Sequence, residues 1–314
     1  MVIGVIDVDR ESNGYTRFPN IALMKISAWH KNKGDQVEWY SPFSEYDIVY
    51  MSKVYSFTED YRYSIPNAKQ IIKGGGGYSL KLVNGKEVFD KSKDKDLPAE
   101  IEHIYPDYSL YPELTKDTAY GFLTRGCPRH CSFCIVGDKE GVVSHKVADL
   151  SEFWNGQKNI CLCDPNIFAC KDWKGLLQQL AKSGSYVDFN QGLDARLLTE
   201  EKVEMLNNIR IKEVHFAWDR YQDGAIVLPK LEMFQQRFRR KIFPGNAIVY
   251  TLVNYDTTFE QDLERIYTLR KMNYYPYVMI YGKEHCDKRY RKLARWVNNR
   301  FIWKKCEKFE DYVY

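Results

Sequence analysis

Apolar and polar positions along the chain follow a strand–helix rhythm. Residues 2–8 (Val-Ile-Gly-Val-Ile-Asp-Val) form the short apolar run expected of a buried strand. A helix is predicted from Pro19 to about Lys33, with Pro19 suited to its first turn and Gly34 to its end. Val37–Tyr40 and Tyr46–Tyr50 read as the next strands, and Lys69–Lys73 as a short fourth running into Gly74, Gly75, Gly76 and Gly77. Asn84-Gly85, set between Leu80–Val83 and Lys86–Phe89, is a two-residue hairpin signal. The rhythm breaks over the polar stretch 90–100 and the extended segment 105–112, which puts a domain boundary near residue 110. Six further strands are expected at Tyr120–Thr124, Asn159–Cys163, Tyr186–Asn190, Glu213–Trp218, Ala247–Val253 and Tyr277–Tyr281. Amphipathic segments lie between the later ones, among them Thr199–Ile209, whose Thr suits an N-cap, and Phe259–Lys271. Such alternation implies parallel strands joined by crossovers, hence an α/β fold. The six strands suggest an incomplete β/α barrel, which periodicity alone does not separate from an open doubly wound sheet.

Composition adds limits. A chain of 314 residues has room for two domains. Apolar residues at 44% and charged residues at 28% exclude a disordered or fibrous chain. The net charge of +4 is too small to argue for a nucleic-acid partner by itself. The N-terminus lacks the basic and apolar regions of a signal peptide, and no run of apolar residues is long enough to span a bilayer; a cytoplasmic protein with no membrane partner is expected. None of the eight cysteines precedes Cys127, so they do not read as a disulfide framework.

The segment Thr124-Arg125-Gly126-Cys127-Pro128-Arg129-His130-Cys131-Ser132-Phe133-Cys134 carries the strongest chemical signal, a C-x3-C-x2-C spacing. Three thiolates from one short loop can hold three corners of an iron–sulfur cubane and leave the fourth iron open. Zinc is the inorganic rival, but a structural zinc site needs a fourth protein ligand, for which His130 and His145 are the nearby candidates.

This motif, following a strand and opening a β/α array, resembles that of the radical S-adenosylmethionine (radical SAM) superfamily. The resemblance covers about residues 115–285. It implies a [4Fe-4S] cluster on Cys127, Cys131 and Cys134, with S-adenosyl-L-methionine chelated at the open iron and cleaved reductively to a 5′-deoxyadenosyl radical. It also implies a flavodoxin or ferredoxin-type electron donor. Phe133 matches the aromatic usual before the third cysteine. Cys163-Asp164-Pro165-Asn166-Ile167-Phe168 resembles the family's acidic Asp-x-Asn-Phe variant, which makes Asp164 and Asn166 candidate cofactor contacts, Asp164 for the ammonium group. A plain Asp-Pro turn is the competing reading. Gln191 to Arg196 resembles a segment ending in Ala-Arg, and Arg196 would pair with the cofactor carboxylate. Asp219, after the fourth strand, would be a shortened acid near the ribose, although Ala217 stands where the family has Gly. Asn254, after the fifth, is a candidate for the adenosine region. Cys161 and Cys163 alternate on one strand and, with Cys170, read as buried thiols; Cys286 and Cys306 read as inert.

Residues 1–90 resemble the Rossmann-like cobalamin-binding module of many radical enzymes, but no Asp-x-His-x-x-Gly follows the first strand. A cobalamin-free domain is expected, with base-off binding left open. Methylthiotransferases share the cysteine style but carry cysteines in their N-terminal domain, which this chain lacks. The map implied by the resemblance is a Rossmann-like domain at 1–110, a partial (β/α)6 TIM-like barrel at 111–285 and a basic helical extension at 286–314.

Between Lys283 and Lys305 nine Lys or Arg face two acids, with Trp296, Phe301 and Trp303 interleaved. Lys288, Arg289, Arg291, Lys292 and Arg295 are candidate nucleic-acid contacts, and the rings would stack bases. The competing reading is an amphipathic helix that buries its rings. The expectation is therefore a radical enzyme of unknown specific reaction. Its substrate is RNA or another nucleic acid, or else a peptide or small metabolite. The alternative is a non-catalytic nucleic-acid-binding protein stabilised by zinc or a cluster.

Overall fold

The computed structural model describes residues 1–83 and 86–313, with Lys86 described by its backbone alone. The chain is a mixed α/β protein with parallel sheets, and it divides into two compact units. The first comprises residues 1–121, 130–140 and 148–160; the second comprises 122–129, 141–147 and 161–314, so that 286–314 belong with the second.

The first unit begins with β1 (Val2–Asp7), α1 (Val8–Asn13), α2 (Ile21–Asn32), β2 (Gln36–Trp39), β3 (Tyr46–Ser52) and β4 (Ala68–Gly74). Its sheet is fully parallel, in the order β2-β1-β3-β4. The α2 helix starts at Asn20, whose side chain accepts from the Leu23 amide, and it buries Leu23, Met24 and Ile26 against Val5. The helix expected after Pro19 is α2, and of the three crossovers in this sheet only the first carries helices, α1 and α2. β2 reaches β3 through residues 40–45, and β3 reaches β4 through 53–67. The Asp9 carboxylate fastens the second of these loops, accepting from the amides of Val54 and Tyr55 and from Thr58 Oγ1.

Next come α3 (Gly76–Ser79), β5 (Leu80–Val83), β6 (Lys86–Phe89), α4 (Ala99–Glu102), α5 (Pro112–Thr115), β7 (Thr118–Gly121) and α6 (Val136–Glu140). β5 and β6 pair antiparallel with Val83 opposite Lys86. The expected turn at Asn84-Gly85 lies outside the described residues. The glycine run is explained by close backbone approach. A Cβ on Gly75, at φ +95°, would strike the Lys53 carbonyl, and one on Gly77 the Tyr55 carbonyl.

The second unit holds β8 (Thr124–Arg125) and β9 (His145–Lys146), which pair antiparallel. β10 (Asn159–Leu162) passes through the division at Cys161. There follow α7 (Trp173–Ser183), β11 (Tyr186–Phe189), α8 (Glu200–Asn207), β12 (Arg210–Ile211), β13 (Val214–Ala217), α9 (Gly224–Arg237), β14 (Ala247–Val253), α10 (Phe259–Lys271), β15 (Tyr275–Ile280), α11 (Lys288–Asn298) and α12 (Arg300–Lys305). β11 lies between β10 and β12, and β14 lies between β13 and β15. A parallel bridge, Leu193 to Phe216, links the two sets. Within each of these two sets the strands neighbour one another in chain order.

The α8 and α10 helices open on Thr199 and Thr258, each accepting from the backbone three residues on. α11 buries Tyr290, Leu293, Trp296 and Val297. With Trp303 also buried, the helix packs its rings inward; of the three interleaved rings only Phe301 is exposed, at 72%. Among the described residues no helix is long and apolar enough to cross a membrane.

Candidate functional site

The two-residue ladder of Thr124–Arg125 with His145–Lys146 closes the base of the cysteine loop. Gly126 adopts φ +81°, and a Cβ there would run into the Val143 carbonyl, so the Arg-Gly-Cys step needs glycine for close approach. The Cys127 amide then donates to Gly141 O at 3.0 Å. Within the first unit the Cys134 amide donates to Cys131 O at 2.9 Å, a tight turn beside the half-buried Phe133. All three motif cysteines are partly exposed thiols.

Asn166 reaches Cys127, its Nδ2 lying 3.5 Å from Sγ and 3.2 Å from Asp194 Oδ2. Asp194 is the hub of this end of the second unit. Its carboxylate takes Arg129 Nε at 2.7 Å and Arg196 Nε at 2.8 Å. Burial would raise its pKa, but Arg196 and Arg129 outweigh burial and hold it below the ordinary range. Arg196 also donates from Nη1 to Asp223 at 3.0 Å, so its fork is engaged by two carboxylates of the chain. The spacing of the sequence pointed to Arg196 but not to Arg129 or Asp194; the only available signal was the Asp-Ala-Arg run itself.

Asp164 is turned inward. It accepts from the Leu123 amide and from the amide and hydroxyl of Thr124, tying β8 to the end of β10. Burial pushes its carboxyl up to about 6. Its acceptor sites are used by the protein itself, which is the Asp-Pro turn reading with a specific partner. Asp219 is also pushed up to about 6 by burial, and its Oδ1 is buried with no hydrogen-bond partner. Asn166 Oδ1 is buried and unpartnered as well. Asn254 has φ +63°; its side chain donates to Tyr281 O and its amide to Asp262 Oδ2, so it shapes the turn after β14. The structure thus groups Cys127, Asn166 and Arg196 through Asp194, while Asp164 and Asn254 serve their own strand ends.

The rival zinc ligands have other partners. His130 Nε2 lies 2.9 Å from Asp138 Oδ1, and His145 Nδ1 lies 3.1 Å from Val143 O. Among the described residues no group of three or more His, Cys, Asp or Glu side chains is disposed to hold a metal ion. Each motif cysteine is a partly exposed thiol, and Asn166, which touches Cys127, keeps an orphaned amide oxygen. Cys161 and Cys170 are buried as expected, and contact with Cys163 together with burial drives the Cys161 thiol far upward.

The basic residues of α11 line its outer side. Lys288, Arg289, Arg291 and Arg295 are exposed and Lys292 is half-buried. Arg289 pairs with Asp287, and Lys292 covers the Phe309 ring at 5.1 Å. No family model matches the chain, and no curated protein matches it.

Proposed function

We propose that the chain is a cytoplasmic radical SAM enzyme. Its second unit would be a partial (β/α)6 barrel, and Cys127, Cys131 and Cys134 would hold a [4Fe-4S] cluster. The observation that carries this reading is the cysteine loop itself: three accessible thiols at C-x3-C-x2-C spacing on a loop stapled by β8 and β9, with Asn166 against Cys127. The chain-order neighbours β10 to β12 and β13 to β15, with the bridge from Leu193 to β13, support the barrel. When bound, the cluster supplies the electron that cleaves S-adenosyl-L-methionine to a 5′-deoxyadenosyl radical.

The protein's own part is binding and orientation. Asn166 Oδ1 and Asp219 Oδ1 are buried acceptors without donors, suited to the amine or hydroxyl groups of a ligand. Asp194 fixes the Arg129 and Arg196 guanidinia; Arg196, shared between Asp194 and Asp223, would have to exchange one of them to meet a ligand carboxylate. The substrate we assign is RNA or another nucleic acid, approached along the outer side of α11, and the electron donor a flavodoxin or ferredoxin.

Anaerobic reconstitution with iron and sulfide tests this. The expected result is about four irons per chain, broad visible absorbance, and 5′-deoxyadenosine on addition of dithionite and S-adenosyl-L-methionine. Replacing the three cysteines by Ala should abolish all of these. A stoichiometric zinc without such absorbance, and no cofactor cleavage, would overturn the proposal.

A further inference from the structure

Parallel sheets are normally covered on both faces. In the second unit one face is dry: Val187, Phe216, Val249 and Val278 are buried on consecutive strands. Side chains alternate along a strand, so the other face carries Asp188, His215, Tyr250 and Tyr277. This face is open. Tyr277 is 41% exposed, Met279 38%, and the Asp188 side chain 43%.

The four side chains form one cluster. The His215 ring stacks on Tyr250 at 5.5 Å and 23°, and Tyr250 meets Tyr277 at 5.9 Å and 81°. Two perpendicular tyrosine rings make a corner of which Tyr277 is the exposed member. Tyr250 is fixed there by its hydroxyl, which donates to Asn190 O at 2.9 Å. His215 Nδ1 lies 3.2 Å from Asp188 Oδ1 without hydrogen-bond alignment, and Asp188 Oδ1 is buried and has no hydrogen-bond partner. That oxygen faces the imidazole as an ion pair, while the Asp188 side chain as a whole is 43% exposed, so a carboxylate open to solvent stands beside the aromatic face and can accept from a donor outside the chain.

Charge argues against a simple cation as that donor. Glu213 is faced by Arg300 at 3.7 Å, and Asp188 by His215, so positive groups offset the negative ones. Burial alone would lower the His215 pKa; the Asp188 carboxylate outweighs it, and the imidazole sits above its ordinary value. Arg300 also covers Tyr275, two residues before Tyr277 on β15, at 5.4 Å. It opens α12, beside the exposed Phe301, Lys304 and Lys305. The basic extension therefore borders this face.

We infer that this open face binds a nucleobase: a planar heterocycle with N–H donors, stacked on Tyr277 and read by Asp188. The inference rests on the nucleic-acid part of the proposed function and not on the cluster. Calorimetric titration of the full chain with guanosine and adenosine 5′-monophosphates tests it, with ribose 5-phosphate and butylamine as controls. At least one nucleotide should bind and neither control should. Tyr277→Ala should weaken binding about tenfold or more, Asp188→Ala should change the preference between the two bases, and Tyr277→Phe, which keeps the ring, should retain binding. Equal binding of ribose 5-phosphate, binding of butylamine in place of the nucleotides, or unchanged affinity in Tyr277→Ala would each overturn the inference. The same titration on the triple cysteine-to-Ala chain separates the two proposals. Nucleotide binding there stands whether or not reconstitution succeeds. Cofactor cleavage by the parent chain without nucleotide binding removes only this inference.

Discussion

The two units treat the ends of their parallel strands in opposite ways. In the first, the ends are closed by the unit's own residues. Asp7, at the end of β1, accepts from the Tyr111 hydroxyl at 2.7 Å; Ser52, at the end of β3, accepts from Asn20 at 2.8 Å. Asp9 fastens the loop after β3, and the glycine run after β4 rests on the Lys53 and Tyr55 carbonyls. In a sheet whose order reverses beside β1, these ends are where a ligand would be expected. In the second unit the ends are less completely closed. Among the described residues, every buried side-chain nitrogen or oxygen without a hydrogen-bond partner lies in that unit: on Asn166, Trp218 and Asp219 after β10 and β13, on Asp188 within β11, and on Thr257 and Arg265 before and within α10. Native proteins leave few such atoms, and each costs stability. Their concentration in one unit marks where the chain gives up stability.

The largest test strikes the pair that holds the second unit's strand ends. Arg265 is fully buried, donating to the carbonyls of Trp218, Asp219 and Leu252 and to Asp262, itself fully buried. Asp262→Ala would leave a buried cation unpaired, and unfolding in urea should show a loss of about 3–5 kcal/mol. A loss below 1 kcal/mol would mean that the pair is dispensable.

Next is the pH dependence of the unpartnered acid. The pKa of Asp219 in the folded protein is about 6, above its ordinary carboxylate value. The folded state therefore holds this proton more tightly. Its favourable contribution is full below about pH 4, is lost as pH rises to about 6, and is flat beyond. Relative to Asp219→Asn, the parent chain should lose about 2–3 kcal/mol between pH 4 and pH 7. Parallel stability curves for the two proteins would remove Asp219 from the set of costly sites.

In the first unit, Asp9→Ala strips the acceptor from two amides and the Thr58 hydroxyl, with an expected cost of about 1.5–3 kcal/mol. Limited proteolysis should then cut within 53–67; continued protection would show that the loop closes without this carboxylate.

The smallest effect concerns the outer side of α11. Replacing Lys288, Arg291 and Arg295 together by Gln should change stability by no more than about 0.5 kcal/mol while flattening the salt dependence of RNA binding. An unchanged salt slope would count against phosphate contacts on that helix.

The parts of the site that were legible in the sequence are local ones. The cysteine spacing is a local pattern, and the caps at Thr199 and Thr258 are fixed by interactions within a few residues. All six expected strands of the later region have counterparts, because short apolar runs carry their own signal. How the first unit's later crossover is held was not legible, since the polar loop 53–67 is fastened by Asp9, far off in sequence. Nor were Arg129, Asp194 and the His215–Asp188 pair. Asp188 in Tyr-Val-Asp-Phe and His215 in Val-His-Phe-Ala each place a polar residue in an apolar strand, and that alternation was the signal available. Which face it marked depended on strand neighbours.

The sequence alone thus determined the α/β class, the cysteine loop and the basic helix, because each is written in the spacing of neighbouring residues. Tertiary structure decided what the polar residues do. It buried Trp296 and Trp303, spent Asp164 on the Thr124 backbone and engaged Arg196 with Asp194 and Asp223. It left Asp188, Asn166 and Asp219 each with a buried oxygen unanswered. Whether a buried oxygen finds a donor depends on which strands the fold sets side by side, and those partners lie tens of residues apart in the chain.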